Sequence, residues 1–371
     1  MRNGVSVFYI LLLSMGILST GCTENPVLFA GGFTGGDEKG LSLFSFDFKT
    51  GKMEMKSRYD AGPSPSYFCF SDRHDLIYCL NEVMEFNGQK GGGLTTLKYD
   101  RKNGRCEKVS ELMIPYGGPC YISLSADGGF LLLANYGSAS VAVVKLNDSG
   151  IPESVAHTIL YETDSTNVSH PHMIRQDPAG KSVYVTDLGL DRIIMYELDV
   201  ITGMLVLKED GIVNVDKGSG PRHFVFNAGG SALYLINELS STIMVFNVDE
   251  KGGLRLKQTL NTLEEDFDGK SYCADVHISG DGKFLYGSNR GENTIVIYKI
   301  NSDGSLSLAG RSSCGGDWPR NFVIEPSGRF LLVGNQRSDQ ISVFSIDRNT
   351  GMPEGPVASA EMKTPACLKF N

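Results

Sequence analysis

Arg222, Arg290, Arg320, His172, Glu82, Glu238 and Asp275 bear the groups that anion binding and acid–base chemistry require. A guanidinium offers planar paired donors suited to a carboxylate, a phosphate or a developing oxyanion. An imidazole or a carboxylate can take a proton from water. These residues are scattered along most of the chain, so they can act together only if the fold gathers them.

A repeat does the gathering. Gly220-Pro221-Arg222-His223-Phe224-Val225-Phe226 and Ala232-Leu233-Tyr234-Leu235-Ile236-Asn237-Glu238 are β-branched and aromatic runs joined by Asn227-Ala228-Gly229-Gly230, which predicts a β-hairpin. Similar hairpins open near Pro65, Pro119, Pro171, Ala274 and Pro319, and Pro365 to Phe370 repeats the first half alone. The starting positions 65, 119, 171, 221, 274, 319 and 365 lie 45 to 54 residues apart. Seven strand-built units of that period predict an all-β, seven-bladed β-propeller. A third strand follows each hairpin, as in Thr242 to Phe246, and a more polar fourth follows a turn carrying Asp, Asn or Gly. The missing half of the last unit is at the start of the propeller, where Val27 to Phe33 reads as its second strand. Pairing of the two terminal segments closes the ring and removes the open edge of a linear array. Residues 27–371 therefore form one domain.

The start of each innermost strand and the end of its return strand lie at one end of the blade, because the strands are antiparallel. Counting from the strand-opening residues puts Ser66, Cys120, His172, Arg222, Asp275, Arg320 and Ala366 around one mouth of the central channel. The return strands add Glu82, Tyr136, Leu188, Glu238, Arg290, Gln336 and Gly32. One position earlier stand Asn81, Asn135, Asp187, Asn237, Asn289, Asn335 and Gly31, nearly uniform between units. A side chain that recurs regardless of its neighbours serves the blade, and the Asn series reads as structural. The charged set varies from unit to unit, so the blade does not require it. Three arginines converging with one histidine make a local anion site in a chain of formal charge -9. The acidic balance, without a Lys/Arg cluster, argues against nucleic acid as a partner. Glu82, Glu238 and Asp275 could supply oxygen ligands to Ca²⁺, but the arginines oppose a cation, and the expectation is no metal and no cofactor. No Gly-x-Ser-x-Gly elbow marks a serine hydrolase. His170 reads as a loop residue, and His223 and His277 as strand histidines of the core.

Arg2 and the apolar run Val5 to Leu18 before Ser19-Thr20-Gly21-Cys22 read as an export signal over residues 1–21. The tetrapeptide resembles a lipobox, which implies lipidation of Cys22, a tether over 22–26 and a membrane contact made only through that anchor; cleavage without lipidation is the alternative. The eight cysteines include no C-x-x-C pair, and most lie in apolar strands, so buried free thiols are expected. Cys69 and Cys79 share one hairpin and are the pair that could meet.

Gly118-Pro119-Cys120, His170-Pro171-His172, Thr186 to Arg192, Gly220-Pro221-Arg222-His223, Asn237 to Thr242 and Ser288-Asn289-Arg290-Gly291 together resemble the seven-bladed propeller lactonase family. That family includes propeller-type 6-phosphogluconolactonases and fungal carboxymuconate lactonising enzymes, and the likeness covers nearly the whole mature chain. It implies His172, Arg222, Glu238 and Arg290 as active residues, and it departs at Tyr121, where many relatives have His. Opening a sugar lactone needs an activated water and stabilisation of the carbonyl oxygen. The resemblance implies Glu238 or His172 for the first task and Arg222 or Arg290 for the second. Arg320, Gln336, Glu82 and Tyr136 would hold a small anionic or sugar lactone. A muconate-type cyclase and a non-catalytic ligand- or glycan-binding propeller are the alternatives.

Overall fold

Each repeat forms its strands because short apolar runs alternate with turns that suit them. In the computed structural model, which describes residues 26–34, 39–71 and 73–371, the turn after Phe226 is closed by Asn227. Its Oδ1 accepts the Ala232 amide at 3.0 Å and its carbonyl accepts the Gly230 amide at 2.9 Å. Gly230 has φ +68°, and Gly128, Gly180, Gly282 and Gly328 hold the same left-handed position in sister turns. Only glycine takes that conformation without cost.

Seven four-stranded antiparallel sheets result, each running outward from an inner strand. The inner strands are Tyr67–Ser71 (blade 1), Pro119–Leu124 (blade 2), Pro171–Gln176 (blade 3), Pro221–Phe226 (blade 4), Tyr272–Ile278 (blade 5), Pro319–Ile324 (blade 6) and Pro365–Phe370 (blade 7). Blade 7 is composite: Pro365–Phe370 pairs with Leu28–Gly32, with Leu28 opposite Phe370, and Leu41–Phe46 and Met53–Tyr59 complete the sheet. The expected closure by the two ends of the propeller is therefore present. Second strands such as Ala232–Asn237 are buried at every residue, whereas fourth strands such as Leu205–Asn214 are mostly exposed. The core is thus a series of apolar layers between neighbouring blades.

Tyrosines staple those layers. Tyr78, Tyr184, Tyr234 and Tyr286 occupy the same place on four second strands and donate to the carbonyls of Gly150, Gly252, Gly304 and Gly351 in the following blade, at 2.6, 2.7, 3.0 and 2.8 Å. The hydroxyl finds a partner across the blade interface while the ring fills the apolar layer.

The Asn series is structural. Asn135, Asn237, Asn289 and Asn335 are fully buried and donate to Ser140, Thr242, Thr294 and Ser342 on the third strand, at 2.9 to 3.1 Å. They tie second strand to third, and Asn335 also bonds the Cys314 carbonyl. Cys69 and Cys79 do not meet, because the register sets Cys69 against Tyr78 and Cys79 against Phe68. Both thiols are free, and burial pushes Cys69 up to about 12. Blade 1 carries one feature absent from the sequence reading, a small hairpin of Glu85–Phe86 and Gln89–Lys90. It brings Met84 over Gly117 and Gly137 near the mouth. Among the described residues no helix is long and apolar enough to cross a membrane. The export segment and Cys22 lie outside the described residues.

Candidate active site

A bulge at the start of the inner strand in blades 2 to 7 builds the mouth. Pro171 faces Asp187 and Met173 faces Thr186, so His172 stands out of register; Arg222 and Arg320 stand out in the same way. An unpaired bulge residue is re-aimed relative to the ladder.

Register corrects two expected placements. In blade 5, Cys273 faces Asn289 and the Asp275 amide donates to Ser288 Oγ, matching the bond from Met173 to Thr186 Oγ1. Ala274 is therefore the mouth residue, and Asp275 lies one step deeper, level with Met173, His223 and Asn321. In blade 7, Pro365 faces Gly32, so Gly32 takes the Asn position and Phe33 the mouth position. Neither unit repeats the usual marker there: blade 5 lacks the opening proline and blade 7 lacks the Asn.

Ion pairs join three of the predicted residues, Glu238, Arg222 and Arg290. Glu238 Oε2 accepts from Arg222 Nε and from Arg290 Nη2, each at 2.8 Å. Burial raises the Glu238 carboxyl, but Arg290, Arg222 and Arg320 outweigh it and hold it below the usual range. Arg222 also donates through Nη1 to the Ala274 carbonyl, and Nη1 lies 3.4 Å from His223 Nε2. Arg290 donates to the carbonyls of Tyr272 and Cys273 at 3.2 and 3.0 Å. Burial, chiefly, brings Arg290 down to about 9, which leaves it cationic at neutral pH. One terminal nitrogen on each guanidinium, Nη2 of Arg222 and Nη1 of Arg290, has no protein partner among the described residues.

His172 is 5 % exposed, and its Nδ1 is enclosed without a hydrogen-bond partner. Burial, with Arg222, His223, Arg320 and Arg290 nearby, holds it well below the usual imidazole range, so it is neutral. The Tyr136 ring meets it edge-on at 5.6 Å. Tyr136 is in turn stacked on His170 at 4.4 Å, and His170 Nδ1 lies 3.0 Å from the Tyr136 carbonyl. His170 is indeed in a loop, but it also orders the wall of the mouth. The His-Pro-His sequence, with both histidines beside one inner-strand start, was the available signal.

Arg320 lies over the Phe33 ring at 5.1 Å and makes no hydrogen bond or ion pair among the described residues. Gln336 presents an enclosed Oε1 without a partner. Glu82 accepts from Ser66 Oγ. Trp318 packs against Arg290 at 5.3 Å and Arg337 at 3.3 Å, forming another side of the rim. The three acids considered as Ca²⁺ ligands do not assemble: Glu82 is with Ser66, Glu238 with two arginines and Asp275 with two histidines. Among the described residues no group of three or more His, Cys, Asp or Glu is placed to hold a metal ion.

The fold is a seven-bladed propeller whose channel mouth gathers arginines and a histidine. The chain matches the family model described as "Lactonase, 7-bladed beta-propeller" over residues 27–370, and it belongs to that family of lactone-hydrolysing enzymes. A 6-phosphogluconolactonase of Formosa agariphila is 35% identical over 340 residues, which cover 87% of this chain and 93% of that protein. One from Bacillus subtilis is 28% identical, covering 92% of this chain and 97% of its own length. Among solved structures, a periplasmic gluconolactonase of Pseudomonas aeruginosa superposes with a TM-score of 0.88 at 32% identity, covering 93% of this chain and 98% of that one.

Proposed function

We propose that the chain hydrolyses an unphosphorylated sugar lactone at this mouth, with His172 as general base. The observation that carries the reading is the pairing of a neutral, unbonded His172 with two guanidiniums held rigid by Glu238, each keeping one nitrogen uncommitted. His172 takes a proton from water as the water oxygen attacks the lactone carbonyl carbon. The carbonyl oxygen becomes an oxyanion, received by Arg222 Nη2 and Arg290 Nη1. Collapse breaks the ring C–O bond, the imidazolium returns its proton to the leaving alkoxide, and a hydroxy acid results. Donors already fixed by protein acceptors need no reorganisation as charge develops. Glu238 is committed through Oε2 to both guanidiniums, and its part in the scheme is to clamp them. Arg320 and Gln336 would bind the sugar hydroxyls or the new carboxylate, and Tyr136 and Glu82 would bound the pocket.

Charge supports an unphosphorylated substrate. Three guanidiniums face two carboxylates, Glu82 and Glu238, which leaves one positive charge for the single negative charge of the tetrahedral intermediate. A phosphate would bring roughly -1.5 to -2 more. Export through residues 1–21 accords with this, as does the description of a structural neighbour as periplasmic; anchoring at Cys22 is part of the same proposal.

The test is hydrolysis of sugar lactones, phosphorylated and not, by protein lacking residues 1 to 21, measured above the spontaneous rate. Turnover of the unphosphorylated lactone, lost by at least about a hundredfold in His172→Asn, is the expected result. Full activity in that variant would remove His172 as base, and a preference for the phosphorylated lactone would overturn the substrate assignment.

A further inference from the structure

Below the mouth lies a layer of residues, the floor, that the lactonase reading does not use. Its members are Tyr67, Tyr121, Met173, His223, Asp275 and Asn321. Tyr67 and Tyr121 pack at 4.5 Å, and Tyr121 meets the His223 ring at 5.3 Å. These residues also line a cavity of about 340 Å³, together with His277 and others.

The floor contains an ordered chain of hydrogen bonds ending on Arg222. Asp275 is 2 % exposed. Its Oδ2 accepts from His277 Nε2 at 2.9 Å and from Asn321 Nδ2. Its Oδ1 accepts from the Val276 amide at 3.0 Å and from His223 Nδ1 at 2.8 Å. With the proton on Nδ1, His223 Nε2 is an acceptor, and it faces Arg222 Nη1 at 3.4 Å. The second ring nitrogen of such a histidine is set by the bond the first one makes.

We propose that His223, held by Asp275, is a positioning residue: its Nε2 fixes the rotation of the Arg222 guanidinium so that Nη2 is aimed at the oxyanion. This rests on the lactonase reading for its catalytic consequence but not for its geometry. Arg222 has three fixing acceptors, the Glu238 carboxylate, the Ala274 carbonyl and His223, and of these only His223 comes from the floor. Glu238 holds Nε, and the Ala274 carbonyl and His223 Nε2 share Nη1, so without His223 one of the two contacts that set the guanidinium's rotation is lost.

The experiment compares His223→Leu, which removes the acceptor, with His223→Gln, whose amide oxygen can replace Nε2. His223→Leu is expected to lower kcat about ten- to hundredfold with KM nearly unchanged. His223→Gln is expected to recover most of the loss, and in an Arg222→Ala background His223→Leu should cost nothing further. Wild-type kcat in His223→Leu, or equal losses in both variants, would overturn the assignment. Should His223→Leu fail to fold, ¹⁵N NMR of the wild-type imidazole decides: a proton on Nδ1 and a bare Nε2, shifted by Arg222→Ala, is expected, and a proton on Nε2 refutes the relay. If the wild type opens no lactone the proposed function fails, while the NMR readout still tests the relay.

Discussion

Replacing Glu238 by Gln tests the idea that one carboxylate holds two catalytic guanidiniums in place. The Arg222 and Arg290 side chains are 2 % and 6 % exposed and Glu238 is 18 % exposed, so all three sit where water compensates poorly for a lost partner. Removing one member of a buried ion cluster costs about 3–5 kcal/mol, because the remaining charges stay buried. A propeller of roughly 345 residues unfolds with about 2.1 cal/mol/K per residue, or about 0.7 kcal/mol/K in total, so the expected fall in Tm is about 4–7 °C. Calorimetry at pH 7 reads this directly. Sulfate should restore part of the loss, since an anion can occupy the place between the guanidiniums and stabilise the folded state by mass action. Turnover should fall as well, since both proposed oxyanion donors lose their common anchor. A Tm within about 1 °C of wild type, with turnover intact, would refute the clamp.

Other outcomes follow from the same structure. His172 and His223 are held neutral, the first well below the ordinary value and the second down to about 4, with burial the main cause. The unfolded chain therefore binds more protons below about pH 6.5, and stability should drop as pH falls from there towards about 4, by about 1.4 kcal/mol per pH unit for each histidine. Glu238 and Asp275 are depressed carboxylates whose contributions persist above about pH 4 and are lost only as pH falls through their folded values. Urea unfolding at pH 7 and pH 5 checks this, and equal stability at both would contradict it. Because His172 stays neutral, kcat/KM should hold to well below pH 6.5; an acidic limb centred near 6.5 would place the base elsewhere. Tyr286→Phe should cost about 1 kcal/mol, or about 1–2 °C in Tm, by removing one staple between blades; no change in Tm would make the staple energetically silent. Deleting residues 365–371 leaves Leu28–Gly32 as an open inner edge, so the product should aggregate rather than run as a folded monomer in gel filtration.

The number of blades, the four-strand pattern and the closure by two ends of the propeller were all legible in the sequence, because each blade is a local unit whose strands and turns repeat within about 50 residues. The same repetition separated the structural Asn series from the variable charged set of Arg222, Arg290, Arg320, His172, Glu82, Glu238 and Asp275, and the family resemblance narrowed that set to His172, Arg222, Glu238 and Arg290. Repeat counting failed where a unit lacked its usual marker. Without the opening proline Asp275 was placed one step too high, and Phe33 was missed because Gly32 took the Asn position. Those placements depend on bulge register, which is set by pairing with a second strand and not by the inner strand's own residues. The tyrosines recur visibly in the sequence, but they become staples only once the following blade supplies the carbonyl. Which guanidinium nitrogens are committed, and that His172 is unbonded and neutral while Glu238 is shared, are decided by contacts within and between neighbouring blades that exist only once strand register and blade packing are set. Burial and charge at the channel mouth are sums over all seven blades, and only the closed ring brings those terms to one place.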